Sequence, residues 1–319
     1  MSAEQEDRIP TPAPAPNTKK IIKHIVLSGG GETGFAYCGA FRESNKAGFW
    51  DIKHIISIHS TSAGSIFATF LPLIHLIGWD EFDNFVYKRP WDQVYKFGLT
   101  QMMNLYTNIG ILDRKAIYDT YYPIFTAVDI SMDITMKEFY QFTGIEIHYY
   151  TTDVESFELV DVSYKTHPDW KVIDAVYASS ALPILFKPAE IDGKTYIDGA
   201  VFCNYPLKQC MEMADHEDEI FAFKKCYPIE FVTDTNYANL IDYINDILAK
   251  TFAKISVSFD SPKIKNCLKF VGEYTTAYTV YKIMSNLESR IEMIDSGARI
   301  WNEFYSSHLG LGERDDELS

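Results

Sequence analysis

The stretch Ile55-Ile56-Ser57-Ile58-His59-Ser60-Thr61-Ser62-Ala63-Gly64-Ser65 is a β-branched run that breaks at a small-residue turn and passes into an apolar helical pattern. We read it as a strand that ends in a nucleophile. A serine at the apex of a tight strand-to-helix turn has its Oγ pushed clear of the sheet. The following helix N-terminus supplies oriented N–H groups and positive potential for an oxyanion. Small residues two positions before and after the serine let strand and helix approach closely. Here those are Ser60 and Gly64, flanking Thr61, Ser62 and Ala63, so the pentad is S-x-S-x-G and a serine replaces the usual first glycine. The same residues also read as a buried strand followed by a Ser/Thr-capped helix, and the stretch alone does not separate the two.

Upstream, Ile21–Ser28 reads as a buried first strand that runs into Gly29-Gly30-Gly31-Glu32-Thr33-Gly34, after which Phe35, Cys38, Gly39 and Phe41 recur at helical spacing. The loop spells G-x-G-x-x-G, the fingerprint of a dinucleotide site, which calls for an acidic residue at the end of the second strand. Asp51 has roughly that separation but precedes its strand, whose far end is Ser60-Thr61-Ser62. Consecutive glycine N–H groups stabilise an oxyanion as well as a phosphate, and one crossover before a nucleophile turn the oxyanion reading fits better.

Downstream, Trp79–Lys88 and Asp113–Ala127 have amphipathic helical spacing, with Gly98–Leu112 a loop-rich connection between them. Ile145–Thr152 and Phe157–Val162 read as strands, and Asp174–Ser180 as a short helix ended by Pro183. Lys194–Asp198 reads as a strand followed by the Gly199-Ala200 turn. A D-G pair is most often only a turn, but a carboxylate at a strand end in an α/β fold lies on the edge where sites form, the edge assigned to Ser62. Asn239–Phe259 and Lys282–Phe304 carry long apolar spacing, the latter with Ile283, Leu287, Ile291, Ile294 and Ile300 on one face.

These motifs, in this order, resemble the patatin-like phospholipases, serine acyl hydrolases that use a Ser-Asp dyad without histidine. Gly29–Gly34 looks like the family's oxyanion loop, Ser60-Thr61-Ser62-Ala63-Gly64 like its nucleophile elbow, and Asp198-Gly199-Ala200 like its aspartate turn. Ala178–Pro183, Phe186-Lys187-Pro188 and Asn204-Tyr205-Pro206 also resemble family sequence. The likeness spans about residues 21–224, and more weakly a final helix near Arg290–Gly297. It implies Ser62 as nucleophile, Asp198 as base, an acyl-enzyme, and lipid esters as substrates at a membrane or lipid interface. Two positions depart from the pattern: Ser60 stands where the family has glycine, and Thr33 where many members have arginine or lysine. They motivate a second reading, a catalytically silent binding or scaffold protein that kept the fold.

The residues themselves agree with this chemistry. An aspartate of ordinary pKa, about 3.9, can deprotonate serine only as the transition state forms, in a dry site with fixed donors for the oxyanion. A Ser-Asp-His triad in that chain order would need His216 or His308, both in polar surroundings. His59 lies near Ser62 but on the opposite face of a continued strand, and His24, His54, His75, His148 and His167 lack metal-cluster spacing. No metal and no cofactor is expected.

The chain's 319 residues, 47% of them hydrophobic, suffice for a large core. A net charge of −15 argues against non-specific nucleic-acid binding. The five scattered cysteines suit free thiols in a reducing compartment. With neither signal-peptide order nor a spanning apolar run, the expectation is a cytoplasmic or peripherally membrane-associated protein. The expected fold class is α/β, a three-layer sandwich with a mainly parallel central sheet and a helical C-terminal portion. The expected organisation is a disordered Pro/Ala-rich tail (1–20), an α/β hydrolase core (21–224), a helical portion packed on it (225–311) and an acidic tail (312–319). Met102, Met103, Leu105 and Tyr106 are candidates for an apolar rim.

Overall fold

The computed structural model describes residues 21–98, 109–227 and 262–308, with several helical positions within 243–254. Strand β1 (His24–Leu27), fully buried, leads through the glycine loop into α1 (Gly34–Lys46). Next come β2 (Ser57–Thr61), α2 (Ala63–Ile77), α3 (Trp79–Lys88), α4 (Trp91–Val94), β3 (Gly110–Leu112), α5 (Arg114–Ala127) and α6 (Met136–Thr143). They are followed by β4 (Glu146–Asp153), β5 (Glu158–Val162), α7 (Val172–Ser180), β6 (Ile184–Phe186), β7 (Ala189–Ile191) and β8 (Lys194–Asp198). The remaining described elements are α8 (Leu207–Met211), β9 (Ile220–Cys226), β10 (Cys267–Val271), α9 (Ala277–Ser285) and α10 (Leu287–His308).

The main sheet has the order β10-β9-β1-β2-β4-β8-β7, with β5 also paired to β4. The β10-β9-β1-β2-β4 portion is parallel throughout, and β8, β7 and β5 add antiparallel pairings at the other side. Alternation along β1 sorts its side chains between two layers. Ile25 and Leu27 join the large apolar cluster that holds Phe41, Phe67 and Trp301, whereas Val26 packs with Leu207, Cys210 and Ala222 on the other face. The result is the three-layer, mainly parallel α/β architecture, with helices covering both faces.

Helices α1 and α10 come together backbone to backbone. A β-carbon on Gly39 would collide with the carbonyl of Ile294, and one on Gly297 with the carbonyl of Ala36. The apolar spacing of Lys282–Phe304 led to the expectation of one helix; the chain instead breaks at Asn286 into α9 and α10. The break is built from side chains. Asn286 Oδ1 accepts from Ser289 N at 3.2 Å, and the buried Arg290 donates through Nη1 to the Ile283 and Met284 carbonyls at 3.0 and 2.8 Å, capping α9. Of the expected face, Ile294 is buried but Leu287 and Ile291 are exposed.

Within Gly98–Leu112, Gly110–Leu112 is a strand paired in parallel with β6. Residues 225–311 also contribute an edge strand, β10, to the sheet. Residues 1–20, 312–319, most of Asn239–Phe259, and the Met102, Met103, Leu105 and Tyr106 rim lie outside the described residues.

A line of buried polar groups crosses β1, β2 and β4. Ser57 Oγ bonds both His24 Nδ1 (2.8 Å) and His59 Nε2 (3.1 Å), and His59 Nδ1 bonds the Tyr150 hydroxyl (2.9 Å). The His59 ring stacks on His148 with centroids 4.3 Å apart, and His148 Nδ1 reaches Asp161 at 2.9 Å. His59 is thus spent on the sheet.

Candidate active site

Ser62 sits between β2 and α2 with φ 55 and ψ −129, a left-handed backbone that is rare for a residue with a β-carbon. Its side chain makes no capping bond to the helix it precedes, so Oγ is not tied down there. The turn is held instead by neighbouring serines. Ser62 N donates to Ser179 Oγ (3.1 Å), Ser180 Oγ donates to Ser62 O (3.1 Å), and Ser179 Oγ is itself bonded to Ser65 Oγ and to Tyr150 O. Ser60 is fully buried, donates to His148 O at 3.1 Å and accepts from Ser65 Oγ at 3.2 Å. The missing first glycine therefore leaves no unpaired hydroxyl, and Ser60 lies inside a regular strand outside the positive-φ region. Gly64 is different. A β-carbon there would lie 2.7 Å from both the Leu27 and Ser28 carbonyls, so strand and helix meet as closely as the elbow requires.

The glycine loop lies alongside. Gly29 N donates to Asn204 O at 3.0 Å, and a β-carbon on Gly29 would sit 2.9 Å from that of Ser62. Gly31 adopts φ 51 under the Thr275 methyl group, while Gly31–Thr33 forms one 3-10 turn before α1. The N–H groups of Gly30 and Gly31 have no acceptor among the described residues, and both glycines line one cavity with Ser62 and Asp198. Gly34 faces only ordinary contacts, its nearest neighbour being Ala63 Cβ at 3.8 Å.

Asp198 reaches this edge on an antiparallel strand. Strand β8 runs antiparallel to β4, entering from beyond the C-terminal end of β4, so that Asp198 stops opposite Thr151. Its backbone is fixed by Asp198 N to Ala181 O (3.0 Å) and Thr152 Oγ1 to Asp198 O (3.1 Å). Oδ1 accepts from Ala200 N at 2.8 Å, and Gly199 permits the turn by lying against the Tyr150 carbonyl. Oδ2 is buried without a formed hydrogen bond. Complete burial pushes the carboxyl up to about 7, against the opposing pull of the nearby Ser62 hydroxyl and the Ala200 N–H. A buried carboxyl of that pKa is a base suited to neutral pH.

The cavity, about 40 Å³, is lined by Gly30, Gly31, Ser62, Leu182, Asp198, Ala200, Asn204, Tyr227 and Thr275, with no histidine among them. It has room for a reacting group rather than for a whole ligand. A second cavity of about 80 Å³ shares Gly31 and is walled by Ile66, Phe70, Phe85, Trp91, Met284 and other apolar groups. Sequence reading did not single out Tyr227 or Thr275. Tyr227 follows the C-terminal end of a parallel strand and could have been found from an assignment of β9; Thr275 carries no local signal. Among the described residues no three His, Cys, Asp or Glu side chains gather as a metal site, and no helix is long and apolar enough to cross a membrane.

Fold and site together define a three-layer α/β protein whose polar residues gather where a strained serine turn, a glycine loop and a buried aspartate meet. The patatin-like phospholipase family matches residues 25–211, and the chain belongs to that family. A probable lipid hydrolase of Invertebrate iridescent virus 6 is 26% identical over 190 residues, which cover 59% of this chain and 63% of the relative. An uncharacterized protein of Acanthamoeba polyphaga mimivirus is 28% identical over 188 residues, covering 58% and 60% respectively. The chain thus spans about three fifths of the length of these curated relatives. Among solved structures, VipD from Legionella pneumophila aligns with a TM-score of 0.45 at 16% identity, covering 87% of this chain and 67% of that one. The type III effector ExoU aligns with a TM-score of 0.41 at 12% identity, covering 90% and 54%.

Proposed function

We propose that this protein is a lipid acyl hydrolase that cleaves fatty-acyl esters of phospholipids or glycerolipids through Ser62 and Asp198. The observation that carries the reading is the meeting, around one cavity, of the Ser62 hydroxyl, a buried carboxyl of raised pKa beside it and two glycine N–H groups with no acceptor among the described residues. Asp198 in its ionised form accepts the Ser62 proton as Oγ attacks the ester carbonyl. The oxyanion forms against the Gly30 and Gly31 N–H groups, and the protonated Asp198 returns the proton to the leaving alcohol. Water then repeats the sequence on the acyl-enzyme and releases the fatty acid. The apolar cavity that shares Gly31 is the place for the start of the acyl chain. Exposed Tyr278 and Tyr281, on the helix that begins just after Thr275, suit a substrate presented at a lipid interface.

The silent-scaffold reading is motivated by Ser60 and Thr33, and the pairing of both hydroxyls weakens it. The deciding experiment is product analysis on a mixed panel of phospholipids, lysophospholipids and neutral glycerides, with Ser62→Ala alongside. We expect fatty-acid release by the parent alone, and fluorophosphonate labelling at Ser62. A folded parent that neither releases fatty acid nor labels would sink the assignment.

A further inference from the structure

Lys225, the penultimate residue of β9, is 3% exposed, a rare state for a lysine. Its backbone N donates to Ser28 Oγ at 2.7 Å, which sets it beside the end of β1 where the glycine loop starts. The side-chain stem lies against Gly30: a β-carbon on that glycine would meet Lys225 Cγ at 3.2 Å and Cβ and Cδ at 3.3 Å. Beyond Gly30 the ammonium donates to Thr33 Oγ1 at 2.7 Å and to Glu32 Oε1 at 3.3 Å, with the Tyr227 ring 5.8 Å away. Glu32 spends its other oxygen on the far side, accepting from Thr275 Oγ1 at 3.5 Å and Thr279 Oγ1 at 3.4 Å. The Gly30–Thr33 turn is therefore gripped from below by Lys225 and from above by the Thr275–Thr279 segment, with Glu32 joining the two.

We infer that the Lys225–Glu32 pair is a positioning device that fixes the Gly30 and Gly31 N–H groups where the oxyanion forms; this rests on the hydrolase reading proposed above. Two arguments separate it from simple stabilisation. Desolvating two charges offsets much of what they gain from each other, so a buried pair is a poor stabiliser by itself and is better explained by the geometry it enforces. A loop of three glycines has no side chains of its own to set its conformation and must borrow rigidity from outside.

The test is the double variant Lys225→Met/Glu32→Gln, which removes both charges and leaves no buried ion unpaired. Lys225→Met alone would strand Glu32 and confound stability with function. Three measurements are made on the folded protein: kcat and KM on a soluble p-nitrophenyl ester across pH, the rate of fluorophosphonate labelling at Ser62, and hydrogen exchange of the loop amide of Thr33, which donates to Gly30 O at 3.0 Å. We expect kcat and the labelling rate to fall about tenfold or more in parallel, KM to change less than about twofold, and amide exchange to speed up about tenfold or more. The acidic limb set by Asp198 should not move. A folded double variant with parental exchange in the loop, or with parental kcat, overturns the inference. If exchange accelerates but the parent has no esterase activity, the positioning role stands and the hydrolase reading falls.

Discussion

Ser62 and Asp198 are brought together by a single peptide of β4: Tyr150 pairs with Thr61, the residue before Ser62, and Thr151 pairs with Asp198 itself. The nucleophile turn and the carboxylate are thus referenced to one rigid central strand, and neither depends on a long loop for its placement.

Removing the carboxylate should separate catalysis from folding. Asp198→Asn keeps an acceptor for Ala200 N but cannot take the serine proton, so turnover should drop about a hundredfold or more. His216→Ala and His308→Ala should each leave turnover within about twofold, since no histidine lines the cavity. Steady-state kinetics on a soluble ester checks all three, and a histidine variant as damaged as Asp198→Asn would replace the dyad by a triad.

The raised pKa of Asp198 gives two pH signatures. Activity needs the ionised form, so kcat/KM should climb with pH through an apparent pKa of about 7. Stability runs the other way. Between the ordinary 3.8 and about 7 the folded state keeps a proton that the unfolded chain has released, so stability declines as pH rises through that window. The shift corresponds to about 4 kcal/mol, lost above pH 7 and absent from Asp198→Asn. Thermal melts should therefore show the variant gaining on the parent from pH 5 to pH 8.

The buried histidines act in the opposite sense. Burial, then the neighbouring His148 and His24, hold His59 well below 6.5; burial likewise lowers His24 despite Glu219. The unfolded chain binds protons on these rings below about 6.5 and the folded chain does not, so their contribution is full above that pH and is lost as pH falls. Melts of Asp198→Asn with and without His59→Gln isolate the effect. The slope below pH 6.5 should be shallower with His59→Gln, and an unchanged slope would remove His59 from the account.

Two glycines of the motifs should respond differently to alanine. Gly64→Ala forces a β-carbon onto the Leu27 and Ser28 carbonyls and should cost about 1–3 kcal/mol or prevent folding. Gly34→Ala, at the first position of α1 with only ordinary van der Waals neighbours, should change stability by less than about 0.5 kcal/mol. Urea titrations distinguish the pair.

Ser60→Gly is the informative reversal. It removes a buried hydroxyl with two hydrogen bonds and adds backbone freedom to a central strand, so stability should fall by about 1–2 kcal/mol without a gain in turnover. Activity that emerged only in this variant would show the natural chain to be silent.

What could be read from the sequence was local. The Ser60–Gly64 turn, the Gly29–Gly34 loop and the Asp198–Ala200 turn are carried by five, six and three consecutive residues whose size and backbone freedom dictate their shape. Residues such as Lys225 and Thr275 act through contacts far apart in the chain and carry no spacing that marks them. The edge shared by Ser62 and Asp198 was anticipated, but not the antiparallel course of β8, because strand direction depends on which neighbour β8 joins. The break at Asn286 is hidden by apolar spacing that continues across it, and side-chain bonds from Asn286 and Arg290 make it.

The mutual approach of Gly39 and Gly297 sets an order on how the protein is made. Helix α1 begins where the glycine loop ends, and its inner surface is completed by α10, which leaves the ribosome long after β1, β2 and the Ser62 turn. A nascent chain lacking residues 287–308 exposes the face of α1 that carries Ala36 and Gly39, so the loop beside Ser62 lacks its backing until synthesis has reached that point. The site's residues are encoded early, and the support for their geometry arrives late.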